Sequence, residues 1–252
     1  LPIFAEVAFA GAALASMKSL MTPRPWLITI FFFAIELLVI DRVRRSGRSR
    51  ELWILPPIFA IWANFHIQFV YGLAVIFLLA LEAPLAALLG RFGWHIDVPP
   101  APCRVGIIAV ACVAATLLTP YHLLLYRQIL DYMGGQTGIF QNITELHPMF
   151  FRSPGDWLVL FLALSAAFAL GWRQKWTPYP TLMLIMGAFW AFRARRDVWA
   201  LVIIAISVIS ESARIFRPAI DARMSKRQIA LCATAVVALF FALQRHFVEG
   251  LT

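Results

Sequence analysis

The sequence predicts an all-α protein, a single bundle of about eight or nine helical segments that cross a membrane. Three observations predict it. Of the 252 residues, 62% are hydrophobic and only 14% charged, against roughly 45–50% and 25% in soluble chains. Mean hydropathy is +0.79. The apolar residues are gathered into long runs separated by short basic clusters, as in a polytopic membrane protein. A soluble domain must show water a largely polar surface, which this composition cannot supply. Disorder, collagen and a disulfide scaffold are excluded on the same grounds.

Eight runs carry the prediction. Leu1 to Ala15 comes first, with no basic stretch ahead of it as a signal peptide would have, so the chain reads as a fragment or processed form lacking upstream helices. Trp26 to Ile40 follows Arg24-Pro25. Leu52 to Leu89 is too long for one straight span and contains Pro56-Pro57 and the polar cluster Asn64, His66 and Gln68. Val105 to Leu118, Trp157 to Trp172, Pro180 to Phe192, Val198 to Ser212 and Ile229 to Leu243 complete the set. Trp26, Trp53, Trp94, Trp157, Trp172, Trp176 and Trp199 lie at or near run ends, as an interfacial aromatic belt would. Of the three cysteines, Cys103, Cys112 and Cys232, two lie in apolar runs, and their spacing makes neither a disulfide framework nor a metal site.

Charge orients the runs. The chain has 22 basic and 13 acidic residues. The excess sits between apolar runs, which reads as membrane orientation and not as nucleic-acid binding. With the five-arginine loop Asp41 to Glu51 inside, two helices turning near Asn64 place 14 basic residues inside and 8 outside; one unbroken span gives 11 and 11. The two-helix reading satisfies the positive-inside rule. It puts Ser16 to Pro25, Pro120 to Asp156 and the Arg193–Arg196 loop outside. Within Pro120 to Asp156, the stretch Tyr121 to Tyr132 reads as a short interfacial helix.

Arg193, Arg195 and Arg196, with Asp197, break the rule that orients the chain. Guanidinium forks bind phosphate oxygens bidentately, so an outer cluster could hold the phosphate of a lipid carrier. The alternative is an inverted topology with ordinary inner anchors. Asn64, His66 and Gln68 stand where a helical pair turns; they could line a polar cavity or relay a proton, or simply cap the turn with interhelical hydrogen bonds. Glu145, Asp156 and Asp131 are the outer-loop carboxylates, any of which could act as a general base or be present by chance. Glu82 and Glu211 lie near run ends, where they can snorkel, and Glu36 lies about one turn from Asp41 and Arg42, where it can pair. Asn142-Ile143-Thr144 forms a glycosylation sequon. No Walker motif, dinucleotide fingerprint or hydrolase elbow is present, and the chain calls for neither a metal nor a cofactor.

One stretch carries a family resemblance. Leu55-Pro56-Pro57-Ile58-Phe59-Ala60-Ile61-Trp62-Ala63-Asn64-Phe65-His66 resembles the LPPLFALWANLHGGF motif of large bacterial membrane proteins related to GT-C class glycosyltransferases. Arg24-Pro25, Leu117-Leu118-Thr119-Pro120-Tyr121 and Arg193 to Arg196 resemble three further motifs in the same order, so the likeness runs from Arg24 to Ser212. It departs where Ile67-Gln68 replace a glycine pair, and where Thr119 and His122 replace an asparagine and a glycine. The resemblance implies a GT-C-like bundle in the bacterial cytoplasmic membrane that moves a sugar from a polyprenyl-phosphate carrier to an acceptor at the outer, periplasmic face. It implies that Arg193, Arg195 and Arg196 hold the carrier phosphate, that Asn64 and His66 shape the cavity, and that the loop with Glu145 covers the acceptor. GT-C enzymes carry a catalytic acid in their first outer loop, and Ser16 to Pro25 has none, so the acid is expected upstream of Leu1 or the chain is not catalytic. No catalytic residue is assigned. A transporter for lipid-linked solutes and a non-catalytic membrane scaffold are the competing expectations.

Overall fold

The computed structural model describes residues 3–21, 24–92, 96, 101–135, 143–172 and 177–215. All regular structure among them is helical. The α-helices are α1 (Ile3–Ser16), α2 (Trp26–Ser46), α3 (Leu55–Phe65), α4 (Phe69–Gly90), α5 (Pro102–Thr116), α6 (Leu123–Gly135), α7 (Pro154–Gly171), α8 (Pro178–Arg193) and α9 (Val198–Ile215), joined in places by short 3-10 turns. The run Ile229 to Leu243, the sequon asparagine Asn142, Trp94, Trp176 and Cys232 lie outside the described residues.

The stretch Leu52 to Leu89 is two helices. Pro56 and Pro57 occupy the first turn of α3, where a missing N–H leaves no helical bond broken. The helix ends as His66 swings to extended backbone at φ −156° and ψ 136°, and α4 restarts after Gln68. The Asn64 amide donates back to the Ala60 carbonyl at 2.8 Å and across to the Leu118 carbonyl at 2.9 Å, tying this turn to the end of α5.

Helix ends sort into two sets. At one, Arg104 at the start of α5 donates to the Ser49 hydroxyl at 2.7 Å. There too Arg44, near the end of α2, pairs with Glu82 in the second half of α4 and stands 4.8 Å over the Tyr179 ring at the start of α8. At the other end, Thr29 near the start of α2 meets His66 at 2.7 Å, and Arg195 meets Asp156 at the start of α7 at 3.4 Å. Helices α2, α4, α7 and α9 therefore run one way, and α3, α5 and α8 run back.

The interior is centred on α9, which packs against α7 and α8 and also touches α1 and α2. Trp199, Ala200, Leu201, Ile204 and Ala205 are wholly buried. At Gly187 the α8 and α9 backbones approach closely: a Cβ there would lie 2.8 Å from Ile204 Cδ1 and 3.3 Å from Leu201 Cα. Elsewhere α3 packs on α5, and α4 bridges α5 and α8. The outward faces are apolar. On α7, Trp157, Phe161, Leu164, Phe168 and Trp172 form one exposed stripe, and Phe77, Leu81 and Leu88 another on α4. Among the described residues, two helices, Phe69–Gly90 and Pro154–Gly171, are long and apolar enough to cross a membrane.

Three side chains differ from their sequence-based placement. Trp199 is not at a surface but fully buried, its ring centroid 5.1 Å from Phe33 and 5.6 Å from Tyr71. Glu82 does not snorkel; it is buried and paired with Arg44. Glu36 does not pair with the end of α2, because Arg42 takes Glu51 at 2.7 Å and Arg45 takes Asp41 at 2.8 Å. Its carboxyl lies inside the bundle, and among the described residues neither oxygen has a hydrogen-bond partner.

Candidate functional site

The end of the bundle that holds His66, Asp156 and Arg195 is built from polar residues because three chain reversals meet there. Helix α8 stops at Arg193, the chain goes extended at Ala194, and a single 3-10 turn, Arg195–Asp197, leads into α9. The preceding loop is stitched onto this turn by backbone bonds. The Met149 N–H donates to the Phe192 carbonyl at 3.1 Å, and the Arg195 N–H to the His147 carbonyl at 3.0 Å. Leu146 and Met149 are buried beneath the loop.

A cavity of about 770 Å³ lies alongside. Its walls come from the α3–α4 turn and first turns of α4 (Ile67, Gln68, Tyr71), from α6 (Gln128, Ile129), from the loop (Leu146, Pro148) and from the end of α8 with the following turn (Trp190, Arg193, Arg196, Asp197). Most of this lining is apolar. The polar groups gather on one wall around Asp197, which is almost wholly buried. Gln68 Nε2 donates to its Oδ1 at 3.1 Å, the Tyr71 hydroxyl donates to Oδ2 at 2.7 Å, and Arg196 Nε stands 3.7 Å from Oδ1. Burial pushes the Asp197 carboxyl above its ordinary range; the Tyr71 hydrogen bond and the Arg196 charge pull it back part of the way. Tyr71 is itself set edge-on to Trp190, with centroids 4.3 Å apart.

The residues singled out in the sequence separate here. Arg193 and Arg196 both line the cavity. Arg195 is turned away and joins Asp156, whose carboxylate and Ser153 form the capping box of α7. Asn64 is spent on two carbonyls. His66 is bonded through Nδ1 to the Thr29 hydroxyl, which also accepts from Trp62 Nε1 at 3.0 Å. Burial and then the Arg196 charge hold its imidazole below the ordinary 6.5. Glu145 is exposed and faces Arg24 at 3.5 Å, while Asp131 lies one turn from Arg127 on α6, 4.0 Å away. Of the turn cluster, Gln68 is the one that reaches the cavity. Tyr71 and Asp197 complete the wall. Asp197 was legible as the acid beside the arginines, whereas Tyr71 sits in an apolar run with nothing to mark it.

Chemically, the wall presents two guanidinium groups, one of them beside the Asp197 carboxylate, with a mostly apolar enclosure behind them. No family model matches the chain, and no curated protein or solved structure matches it.

Proposed function

We propose that this chain belongs to the bacterial cytoplasmic membrane as a polytopic membrane protein. It binds the phosphate of a polyprenyl-linked sugar in the cavity beside Arg193 and Arg196, for transfer of the sugar to an acceptor at that face. The observation that carries the reading is the placement of Arg193 and Arg196 on one wall of a mostly apolar cavity at one end of the bundle, with Asp197 beside Arg196. Guanidinium pairs hold phosphate through parallel charge-assisted hydrogen bonds, more strongly where low-polarity walls exclude water.

The membrane setting is supported by the exposed apolar stripes on α4 and α7, which in water would be an aggregation hazard and in a bilayer face lipid. In that setting the alternating helices act as eight or nine membrane segments. The sugar-transfer step is supported by the motif resemblance. It is also in keeping with the backbone at His122, where the resembling motif has glycine: φ is 44°, in the left-handed region that favours glycine.

The test is binding of farnesyl phosphate to the purified protein in detergent. Replacing Arg193 and Arg196 together with glutamine is expected to weaken binding about tenfold or more, as loss of charge-assisted bonds does. Arg195→Gln, which touches Asp156 instead, is expected to change it little. Equal binding by the double variant and the unaltered chain overturns the proposal.

A transporter is the second reading, favoured by Glu36, because an ionisable group inside a membrane bundle commonly marks a transport path. Movement of a labelled polyprenyl phosphate across proteoliposomes, without sugar transfer, would favour it.

A further inference from the structure

Helix α6 supplies Gln128 and Ile129 to the cavity lining. Among the described residues it is the one α-helix with no extended packing on another. Leu125, Tyr126 and Ile129 hold it to the bundle. Tyr126 makes the specific contact. Its ring stands edge-on to Phe69 with centroids 5.9 Å apart, and its hydroxyl meets that of Thr116 at the end of α5. The Thr116 hydroxyl gives its proton to the Val113 carbonyl at 2.7 Å, so Tyr126 is the donor in that pair. The other face of α6 is apolar and exposed at Leu123, Leu124 and Leu130. In the membrane setting proposed above, that face stays in lipid whichever way the helix tilts. The start of α6 is pinned. His122 turns the chain at φ 44°, its N–H donates to the Thr119 hydroxyl at 3.2 Å, and its Nδ1 bonds the Leu117 carbonyl at 2.8 Å.

We propose that α6 is a movable cover of the cavity, which tilts about His122 to admit an amphiphile from the surrounding leaflet and then returns over it. This rests on the phosphate-binding reading above. Local opening costs least where few buried contacts must be broken. The other walls are firmer: α4 and α8 pack on each other and on further helices, and the loop around Pro148 is stitched to the end of α8 by backbone bonds. A cover governs rates. The ligand passes in and out only while α6 is raised, so weakening the cover speeds both passages and leaves the equilibrium near its former value.

The test is Tyr126→Phe, which removes the hydroxyl and keeps the ring on Phe69. Farnesyl phosphate is mixed with the purified chain in detergent, and binding is followed by tryptophan fluorescence, since Trp190 stands in the cavity wall. Association and release are both expected to quicken about fivefold, the worth of one hydrogen bond, with Kd altered by less than about twofold. Thr116→Val, which removes the other hydroxyl of the pair, is expected to do the same. Unchanged rates in both variants overturn the inference. Faster release with unchanged association overturns it too, because a fixed wall would behave in that way. Either result leaves the arginine-dependent equilibrium binding of farnesyl phosphate standing. If the unaltered chain does not bind farnesyl phosphate, the phosphate reading falls and this one with it.

Discussion

Replacing Gly72 with alanine adds a single methyl group where three side chains already close on α4. The new Cβ would lie 2.5 Å from a Glu36 carboxyl oxygen, 2.6 Å from Trp62 Cζ3 and 2.9 Å from Phe59 Cζ, against about 3.5–4.0 Å for comfortable contact. The Glu36 carboxyl can rotate, but the rings have little room. Trp62 and Phe59 are wholly buried and stacked 5.5 Å apart, and Trp62 is further held by its bond to Thr29. Overpacking of this kind costs about 1–3 kcal/mol. Alanine recovers at most about 1 kcal/mol in helix propensity. Three contacts under 3.0 Å, two of them to buried rings, place the cost at the upper end of that range, so the net expectation is a loss of about 1–2 kcal/mol, or a Tm lower by about 2–8 °C for a chain of this size. Thermal unfolding in detergent, followed by circular dichroism, reads it directly. Adding Glu36→Ala to Gly72→Ala should return part of the loss, since the two positions touch and their effects are not additive. A Gly72→Ala protein as stable as the unaltered chain would refute the reasoning, and with it the placement of Glu36 against α4.

Other outcomes follow from named pairs. His66 is held neutral in the fold below its ordinary 6.5, so the unfolded chain takes up the proton first; stability is expected to fall as pH drops below about 6.5 and to level off once the folded imidazole protonates. Comparing Tm at pH 7.5 and 5.5 for the unaltered chain and His66→Gln checks this, the variant showing the smaller drop. Glu82→Ala strands the largely buried Arg44 guanidinium and should cost about 3–5 kcal/mol, whereas Arg44→Met with Glu82→Leu together should restore most of it. Equal Tm values for the single and double variants would show that the pair is not the buried unit described.

The break near Asn64 was legible because polar side chains seldom sit at the middle of a span, and because the charge count favoured a turn. The helices were legible as apolar runs, although their limits moved: α7 begins at Pro154, where a capping box forms, and α5 at Pro102. Side-chain partners were less accessible. Glu36 lies within reach of Arg42 along the sequence, yet Arg42 is taken by Glu51 from the next turn. Arg193, Arg195 and Arg196 look alike in the sequence. They diverge because a 3-10 turn points Arg195 at the cap of α7 while its neighbours line the cavity. Trp199 follows a polar turn and so resembles an interface anchor, but α9 runs through the middle of the bundle and takes the ring with it.

The shortness of α3 and α5 has a consequence for the membrane setting proposed above. These helices pack against each other, and their 11 and 15 residues reach only about 16 and 22 Å at 1.5 Å per residue. In that setting, a hydrocarbon layer of about 30 Å would be met on that flank by local thinning, by lipids with shorter chains, or by the 3-10 segment Ser49–Ile54 that continues α3. Where such a leaflet dipped, its headgroups would sink toward the turn that joins α3 to α4, which forms part of the cavity wall. Under the proposed function, an amphiphile within such a leaflet would meet the arginines at its own depth, and membrane thickness would set how readily it gets there.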